Sequence, residues 1–448
     1  TPERASQYIR QWAAETFGAR YADEIDGIMD GYYHLMAAGK DSHVWFVEYT
    51  ESEIQQRIAS YRDIVQRAET LAARMPQEMQ AAFFELVLYP VKGAQMLNEY
   101  QLQSRLSQVY ATAGKEQEAL ASADIVTRLY DELNAWTARY NDELLDGKWS
   151  HFFNWKPYHW YYSSEMDVPV CTPDVLEELR NSPAPGSLDA SLAQSADGVK
   201  IESDVEGYAD LWIKARTPVR NFSKAAADNR FCHVQCGEEG FEASATPINN
   251  VWHSPLIGPM WSRVGRIHLN KGVNVLRIED VAPEARIDEV FMGLHPQLPA
   301  EPLVRIAARD YGRKHDSPEA GLKVIPQLGY SDGVMALPFD APSYSVESAP
   351  YAEYGIDVPG DAKSLEVRTL PTLHVHEGRD ARYAVQIDDC PAVVFSIHEG
   401  DFSSEWRLNV LRGYASRSVS LESVTSGTHR VRVYLLDPGI VLQEILVR

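Results

Sequence analysis

The stretch DGKWSHFFNWKPYHWYY, residues 146–162, divides this chain into two parts of different character. Eight of its seventeen residues are Trp, Tyr or Phe. The residues before it show helical periodicity, and those after it show the alternation of β-strands. The polar tips of its Trp and Tyr side chains and its Lys156-Pro157 break do not suit a buried helix. It is either the seam between domains or a wall of a sugar-binding site. The seam is the simpler interpretation, because exposed aromatic patches of this size are rare.

Length and charge limit the classes of protein that the chain can represent. The 448 residues give room for about two to four domains. A net charge of −22 opposes binding to nucleic acid or to an anionic membrane surface, so neither is expected as a partner. No apolar run of about 18 residues is present that would predict a membrane span. The chain opens on Thr1-Pro2 without an initiator Met, so Thr1 is expected to be a processed or truncated start.

The residues that precede the aromatic stretch predict an antiparallel helical bundle. Thr50 with Glu53 three residues later is a capping box that starts one helix. Pro90 lies inside a helical pattern and predicts a kink or break near Tyr89, whereas Gly147 predicts the end of the last helix. Five amphipathic helices are expected at about residues 2–17, 19–39, 50–76, 77–113 and 117–145.

The remainder of the chain predicts β-structure. Prolines and a glycine between residues 169 and 186 indicate a linker around one short helix at about 174–180. Strands at 264–269 and 273–278 are expected to form a hairpin across residues 270–272. The fold class is therefore α+β multidomain, with an N-terminal antiparallel helical bundle followed by two antiparallel β-sandwiches of jelly-roll type. The predicted boundaries are 1–165 for the bundle, 166–185 for the linker, 186–298 for the first sandwich and 299–448 for the C-terminal sandwich.

No catalytic set is recognisable in the sequence. A glycosidase needs two carboxylates about 5–10 Å apart. Asp388 and Asp389 are adjacent, and adjacent strand residues point to opposite faces, so they are not expected to form such a pair. Nucleophile elbows, phosphate loops and dinucleotide-binding fingerprints are also absent. The catalytic residues are therefore unknown.

Two short motifs with metal-binding residue types are interpreted as structural. The segment from Cys232 to Cys236 lacks a second pair of ligands and resembles a strand. His374 and His376 would place two imidazoles on one side of a strand, but a third ligand is not identifiable. The four cysteines do not form a disulfide framework. Neither a metal nor another cofactor is predicted.

Four tryptophans in the β region could stack on sugar rings if they are exposed. Burial inside a sandwich is the simpler interpretation. These residues are Trp212, Trp252, Trp261 and Trp406.

Several linked motifs resemble the C-terminal half of glycoside hydrolase family 115, the xylan α-1,2-glucuronidases. Gly147-Lys148-Trp149 with His151 is similar to the family's Gly-Lys-Trp-x-His motif. The other stretches that carry the resemblance are 83–100, 325–331 with 337–339, and 370–389 followed by 405–413 and 435–445. The resemblance covers most of residues 1–182 and 299–448, whereas residues 186–298 look more like an inserted carbohydrate-binding module.

The resemblance implies that a complete family member would carry an α/β domain and a catalytic barrel before Thr1. The family's catalytic acids belong to that barrel, so none is transferred to this chain. After His151 the family usually continues with Met-Met, whereas this chain has Phe152-Phe153. That departure puts xylan in doubt as the substrate.

The resemblance implies an accessory region of an α-glucuronidase-like glycoside hydrolase that acts on plant polysaccharide side chains. This region would support the barrel, form a homodimer contact and complete the cleft with Trp149, His151, Trp155 and Tyr158. Its partners would be the upstream catalytic domains and a polysaccharide or oligosaccharide decorated with glucuronic acid. Analogy with the family places it in the periplasm or outside the cell.

Two alternatives remain. The first is a free-standing carbohydrate-binding or scaffold protein without catalytic activity. The second, hydrolysis by these 448 residues alone, lacks a placed pair of carboxylates. Whether the chain itself is an enzyme stays open.

Overall fold

A computed structural model describes most of the chain and divides it into two compact units. The described residues are 2–39, 44, 47–152, 168–216, 230–244, 260–283, 285–326, 328–329, 333–374, 376, 378–400 and 403–448. One unit comprises Thr1–Tyr32 and Asp41–Pro299, and the other comprises Tyr33–Lys40 and Ala300–Arg448. The predicted α+β class, with a helical bundle followed by two antiparallel sandwiches, is confirmed.

The helices of the N-terminal part begin and end close to the predicted positions. The Thr50 hydroxyl accepts a hydrogen bond from the Glu53 amide, and the Thr50 amide donates to the Glu53 carboxylate at 2.8 Å, so the capping box is confirmed. The helices are α1 (Pro2–Phe17), α2 (Ala19–Ala37), α3 (Glu51–Ala72), α4 (Gln77–Phe83), α5 (Tyr89–Thr112), α6 (Glu116–Ala138) and α7 (Pro173–Arg180).

The predicted break near Tyr89 takes the form of a π-helical turn. Phe84–Leu88 joins α4 to α5, and the Tyr89 amide donates to the Phe84 carbonyl five residues earlier. Pro90 lies in the first turn of α5 and has no N–H for an α-helical bond to Leu86. The helix therefore widens by one residue instead of ending.

Helix α5 differs from the amphipathic helix that was predicted, because it is buried on every side from Ala94 to Thr112. Several of its polar side chains bond other segments of the same unit, whereas the Gln101 amide has no hydrogen-bond partner among the described residues. Asn98 accepts from Arg57 at 2.9 Å, and Arg105 donates to the backbone carbonyl of Val47 at 2.7 Å. Burial of a polar helix costs little when its groups find such partners.

The described residues of the first sandwich form eight strands in a jelly-roll order. Its strands are β1 (Gly186–Leu188), β2 (Val199–Ser203), β3 (Gly207–Arg216), β4 (Arg230–Cys236), β5 (Glu239–Ser244), β6 (Met260–Leu269), β7 (Gly272–Glu279) and β8 (Arg286–Met292). One sheet has the order β1-β8-β3-β6 and the other has the order β2-β7-β4-β5. Apolar residues from both sheets, such as Leu211, Val234 and Leu276, form one core.

The predicted hairpin across residues 270–272 is wrong. Strands β6 and β7 lie in different sheets, so the turn carries the chain across the sandwich instead of pairing the strands. The Asn274 side chain closes this turn by accepting from the Asn270 amide at 2.9 Å and donating to the Asn270 carbonyl at 2.7 Å. Turn residues with alternating flanks do not reveal which sheet each strand joins.

The second unit contains the C-terminal sandwich, whose two sheets have five and six strands among the described residues. The strands are β9 (Val304–Ala307), β10 (Arg313–His315), β11 (Lys323–Ile325), β12 (Val334–Ala336), β13 (Tyr351–Val358), β14 (Ser364–Thr369), β15 (Arg382–Ile387), β16 (Val393–Ser396), β17 (Ala415–Ser420), β18 (Gly427–Leu435) and β19 (Val441–Val447). The sheet orders are β10-β13-β18-β15-β16 and β11-β12-β19-β14-β17, with β9 also paired to β19. Short helices lie at α8 (Ala190–Ala193) in the first unit and α9 (Ser404–Arg412) in the second.

The segment around His374 is irregular, so its predicted placement on a strand is wrong. His374 lies beside His398, with ring centroids 5.0 Å apart, and His376 approaches the Phe339 carbonyl at 2.8 Å. None of the helices in the described ranges combines the length and apolarity needed to cross a bilayer.

Candidate functional site

Two π-helical turns bring aromatic side chains of the bundle together. The first is Phe84–Leu88, and the second, Arg139–Glu143, follows α6 directly. In the second turn the Leu144 amide donates to the Arg139 carbonyl at 3.0 Å. An inserted residue rotates the following side chains by about 100° around the helix axis. Single π-turns of this kind occur frequently at functional sites.

The aromatic residues of these turns form a continuous cluster, here called the aromatic wall. Its members are Phe84, Tyr89, Trp136, Tyr140, Trp149 and Phe152. Ring centroids lie 5.0 Å apart for Phe84 and Trp136, 4.4 Å for Tyr89 and Tyr140, and 5.4 Å for Trp149 and Phe152. The wall is buried at Tyr140 and exposed at Phe152, which is 57% accessible. It therefore anchors in the bundle and presents aromatic surface to solvent.

Three cationic side chains lie over rings of the aromatic wall. The Arg139 guanidinium carbon is 4.3 Å from the centroid of Phe84 and 5.3 Å from that of Trp136. Lys92 lies 4.8 Å from Trp136 and forms an ion pair with Glu69 at 2.6 Å. Arg139, unlike Lys92, forms no ion pair with a carboxylate in the described part of the chain.

The third cation, Lys148, lies 4.6 Å from the centroid of Trp149 and likewise forms no ion pair with a described residue. Cation–π contacts contribute about 0.5–2 kcal/mol each, depending on exposure. Burial raises the pKa of the Tyr89 and Tyr140 phenols, so both rings stay neutral hydrogen-bonding groups near neutral pH. The wall thus combines neutral rings with fixed positive charge.

The turn that leads into the wall has an unusual backbone. Leu145, Asp146 and Gly147 have φ values of 50°, 56° and 77°, and His151 has a φ of 64°. The left-handed conformation costs about 1–2 kcal/mol for a residue with a side chain. A Cβ atom at Gly147 would stand 3.3 Å from the Asp142 carbonyl oxygen. Strained backbone of this kind concentrates at functional sites.

The structure describes two of the four predicted substrate-binding residues. Trp149 belongs to the aromatic wall and is partly buried, and its indole N–H has no hydrogen-bond partner among the described residues. His151 is exposed two residues further on. Trp155 and Tyr158 lie outside the described residues. The role of all four in binding a substrate stays a prediction.

Sequence reasoning missed the part of the wall that α6 and its π-turn supply. Trp136 is partly exposed, and its N–H donates to the Tyr89 carbonyl at 3.3 Å. Arg139 and Tyr140 follow Trp136 within one turn of helix. The sequence does show an arginine between two aromatic residues, which could have indicated the site. The π-turn that aligns these side chains cannot be recognised from the spacing of hydrophobic residues.

The described tryptophans of the sandwiches are partly buried, and two have structural contacts. The indole N–H of Trp212 donates to the Gly293 carbonyl at 3.0 Å, and its ring lies 5.0 Å from that of His295. Trp261 packs edge-on against Phe291 with centroids 6.4 Å apart. Trp406 is partly buried on α9, and Trp252 lies outside the described residues. These contacts favour the structural interpretation for Trp212 and Trp261.

The acidic pair considered from the sequence lies in a turn after β15 instead of on a strand. Asp388 accepts from the His429 ring at 2.7 Å and from the Arg430 amide at 2.9 Å. Asp389 accepts from the Arg430 guanidinium at 2.6 Å. Both carboxylates are therefore hydrogen-bonded to basic residues of β18, which connects the turn after β15 to that strand.

The Cys232 and Cys236 thiols are buried on β4, and burial raises the pKa of the Cys232 thiol to about 12. A thiol with so high a pKa stays protonated and unreactive near neutral pH. Within the described ranges, His, Cys, Asp and Glu side chains form no group of three or more that could hold a metal ion.

Comparison with known proteins relates the second unit to one family. Residues 299–448 match the model of the glycosyl hydrolase family 115 C-terminal domain. None of the curated proteins compared with the chain matches it. The sequence resemblance over residues 299–448 is thereby confirmed.

Solved structures extend the likeness to the whole chain. The family GH115 4-O-methyl-α-glucuronidase BtGH115A, described as specific for decorated arabinogalactans, is similar over 99% of this chain with a TM-score of 0.54 and 17% identity. The alignment covers 41% of BtGH115A, so the chain spans about two fifths of that protein's length. At this identity the likeness establishes a shared fold.

Carbohydrate-binding modules give weaker matches. The C-terminal CBM6 of LamC from Zobellia galactanivorans has 17% identity and a TM-score of 0.22, covering 32% of this chain and 97% of that module. A family 35 module from Clostridium thermocellum has 10% identity and a TM-score of 0.23, covering 32% and 98%. Likenesses at these scores are too weak to define a fold.

Proposed function

We propose that this chain is the accessory C-terminal region of a glycoside hydrolase related to family 115. The proposal rests chiefly on the match of residues 299–448 to that family's C-terminal domain. A shared fold over 99% of the chain, against 41% of BtGH115A, supports it, because the remaining length of that relative leaves room for separate catalytic domains. The catalytic acids are then expected outside these 448 residues.

The accessory region has three proposed tasks. The bundle at 1–165, the linker at 166–185 and the sandwiches at 186–298 and 299–448 support the upstream catalytic domains and form a homodimer contact. Trp149 and His151, with Trp155 and Tyr158, complete one side of the substrate cleft. The partly exposed Trp149 in a wall of aromatic rings supports this placement, because aromatic faces stack on sugar rings.

The proposed ligand is a polysaccharide or oligosaccharide side chain that carries glucuronic acid. The compartment is the periplasm or the exterior of the cell, where such polysaccharides occur. A free-standing carbohydrate-binding protein is the second candidate, favoured by the exposed Phe152 at the edge of the aromatic wall.

The native mass tests the proposal directly. The chain has a mass of 50.4 kDa. Antibodies against it should detect, in extracts of its source, a larger species whose peptides include a segment before Thr1. The isolated 448 residues should release no glucuronic acid from decorated arabinogalactan or xylan. A native species of about 50 kDa would refute the accessory role and favour the binding protein, and glucuronic acid release by the chain alone would also contradict the proposal.

A further inference from the structure

We propose that Arg139 forms a carboxylate-binding subsite on the aromatic wall and that its ligand is a uronic acid residue of a saccharide. The inference deepens the proposed function and rests on it for the class of ligand. It assigns the recognition of the acidic sugar to the π-turn after α6, at a residue outside the Gly147-Lys148-Trp149 motif.

The geometry of Arg139 prepares its guanidinium for a carboxylate. The group lies 4.3 Å from the centroid of Phe84 and 5.3 Å from that of Trp136, so the two rings restrict its position. A guanidinium carries all five N–H donors around its edge, and contact of its face with a ring leaves those donors available. Carboxylates match this edge with two parallel hydrogen bonds. The aromatic contacts thus hold the cation in place without consuming its donors.

Acidic side chains outnumber basic ones in this chain, so an arginine that forms no ion pair with a described residue stands out. The chain carries 64 acidic against 42 basic side chains, so carboxylates are abundant. Two described arginines of nearby elements form ion pairs: Arg128 on α6 bonds Glu132 at 2.8 Å, and Arg180 on α7 bonds Glu116 at 2.5 Å. Arg139 is exposed and has no such partner in the described ranges. A ligand carboxylate would supply the missing counter-charge.

The surroundings of Arg139 favour a sugar over a simple anion. Trp136 and Trp149 expose part of their rings, and aromatic faces pack against the C–H groups of pyranose rings. Lys148, over Trp149, is a second cation on the same wall that forms no ion pair with a described residue.

The experiment compares two ligands that differ only in the acidic group. Isothermal titration of the full chain would use a glucuronic-acid-bearing trisaccharide and the same trisaccharide with its carboxyl reduced to a primary alcohol. We expect at least tenfold tighter binding of the acid form. Arg139→Gln should weaken binding of the acid form about tenfold or more, since two charge-assisted hydrogen bonds are lost. Arg139→Lys, which keeps the charge but not the paired donors, should give an intermediate loss.

Matched controls separate recognition from folding and from general charge. Arg128→Gln removes one positive charge from α6, which precedes the π-turn of Arg139, and should leave the dissociation constant within twofold. Circular dichroism and thermal melting should be the same for Arg139→Lys and the native chain. Equal affinity for the reduced trisaccharide, an unchanged affinity in Arg139→Gln, or competition by inorganic phosphate at the concentration of the acid sugar would each overturn the inference.

The result is separable from that of the proposed function. Uronate binding through Arg139 by a protein whose native mass is 50 kDa would retain the subsite and remove the accessory role. A large native hydrolase whose Arg139→Gln variant binds the acid sugar normally would retain the accessory role and remove the subsite.

Discussion

Lowering the pH from 7.5 to 5 is expected to weaken the first unit through one histidine, His295, which follows β8 and contacts the bundle. The His295 amide donates to the Thr112 hydroxyl at 3.2 Å, and its ring Nδ1 lies 2.7 Å from the Pro296 carbonyl. That distance fits a neutral imidazole whose Nδ1–H donates to the carbonyl. Protonation would therefore add charge to a packed contact between helix and sandwich.

The magnitude follows from the pKa of His295. Burial lowers that pKa from 6.5 to about 4, and the buried Arg105 guanidinium adds repulsion, while the Pro296 carbonyl opposes the change. A lowered histidine pKa means that its stabilising contribution is complete above pH 6.5 and is lost as the pH falls towards 4. The full difference corresponds to about 3 kcal/mol. The ring is partly solvent-accessible, so we expect a loss of about 1–3 kcal/mol.

The assay is urea unfolding at pH 7.5 and pH 5.0 for the native chain and for His295→Gln. The comparison uses the difference in free energy of unfolding between the two proteins, because carboxylates also titrate over this range and cancel in the difference. That difference should shrink or change sign at pH 5.0. Thr112→Val, which removes the partner hydroxyl without removing a titrating group, should shift stability equally at both pH values. An identical effect of His295→Gln at both pH values would refute the reasoning.

Two further predictions concern the second unit. Glu444 is fully buried and pairs with Arg368 at 3.0 Å and with Arg305 at 2.6 Å, so Glu444→Ala should lower the free energy of unfolding by about 3–5 kcal/mol in denaturant titrations, and a loss below 1 kcal/mol would contradict a role for these pairs. The Asp388 carboxylate raises the pKa of His429, so the stabilisation from this pair should be complete below pH 6.5 and decline as the pH rises through that raised pKa. Asp388→Asn should abolish this alkaline decline in thermal melts, and its persistence in that variant would exclude the pair as its cause.

Local signals in the sequence were sufficient for the order of elements but not for their pairing. Thr50 with Glu53 marked the start of α3 because a capping box acts over four residues. Pro90 marked the break before α5 because a missing N–H acts within one turn. The pairing of β6 with β3, and of β7 with β2 and β4, depends on strands distant in sequence, and no local pattern specified it.

The candidate site was only partly predictable for a related physical reason. Trp149 was identified because aromatic density around it is visible in the sequence. Arg139 was not, because its significance depends on two rings, one from each π-turn region, and on the absence of a paired carboxylate among the described residues. Both conditions are three-dimensional. Composition could show only that cations are the minority charge in this chain.

The position of the aromatic wall follows from the way in which α5 is held. Helix α5 is buried on every side, and several of its polar side chains bond other segments, each of which is thereby fixed against the helix. Ser104 donates to the Pro169 carbonyl at 2.6 Å, and Ser107 accepts from the Cys171 amide at 2.9 Å. These bonds fix the middle and the end of α5, so the start of the helix has little freedom to move. The π-turn before α5 therefore lies beside the π-turn that follows α6. The rings of both turns therefore meet, and the strained residues 145–147 direct Trp149 onto them. The hydrogen bonds of the buried polar helix α5 thus hold the aromatic wall in a fixed position beside the start of that helix.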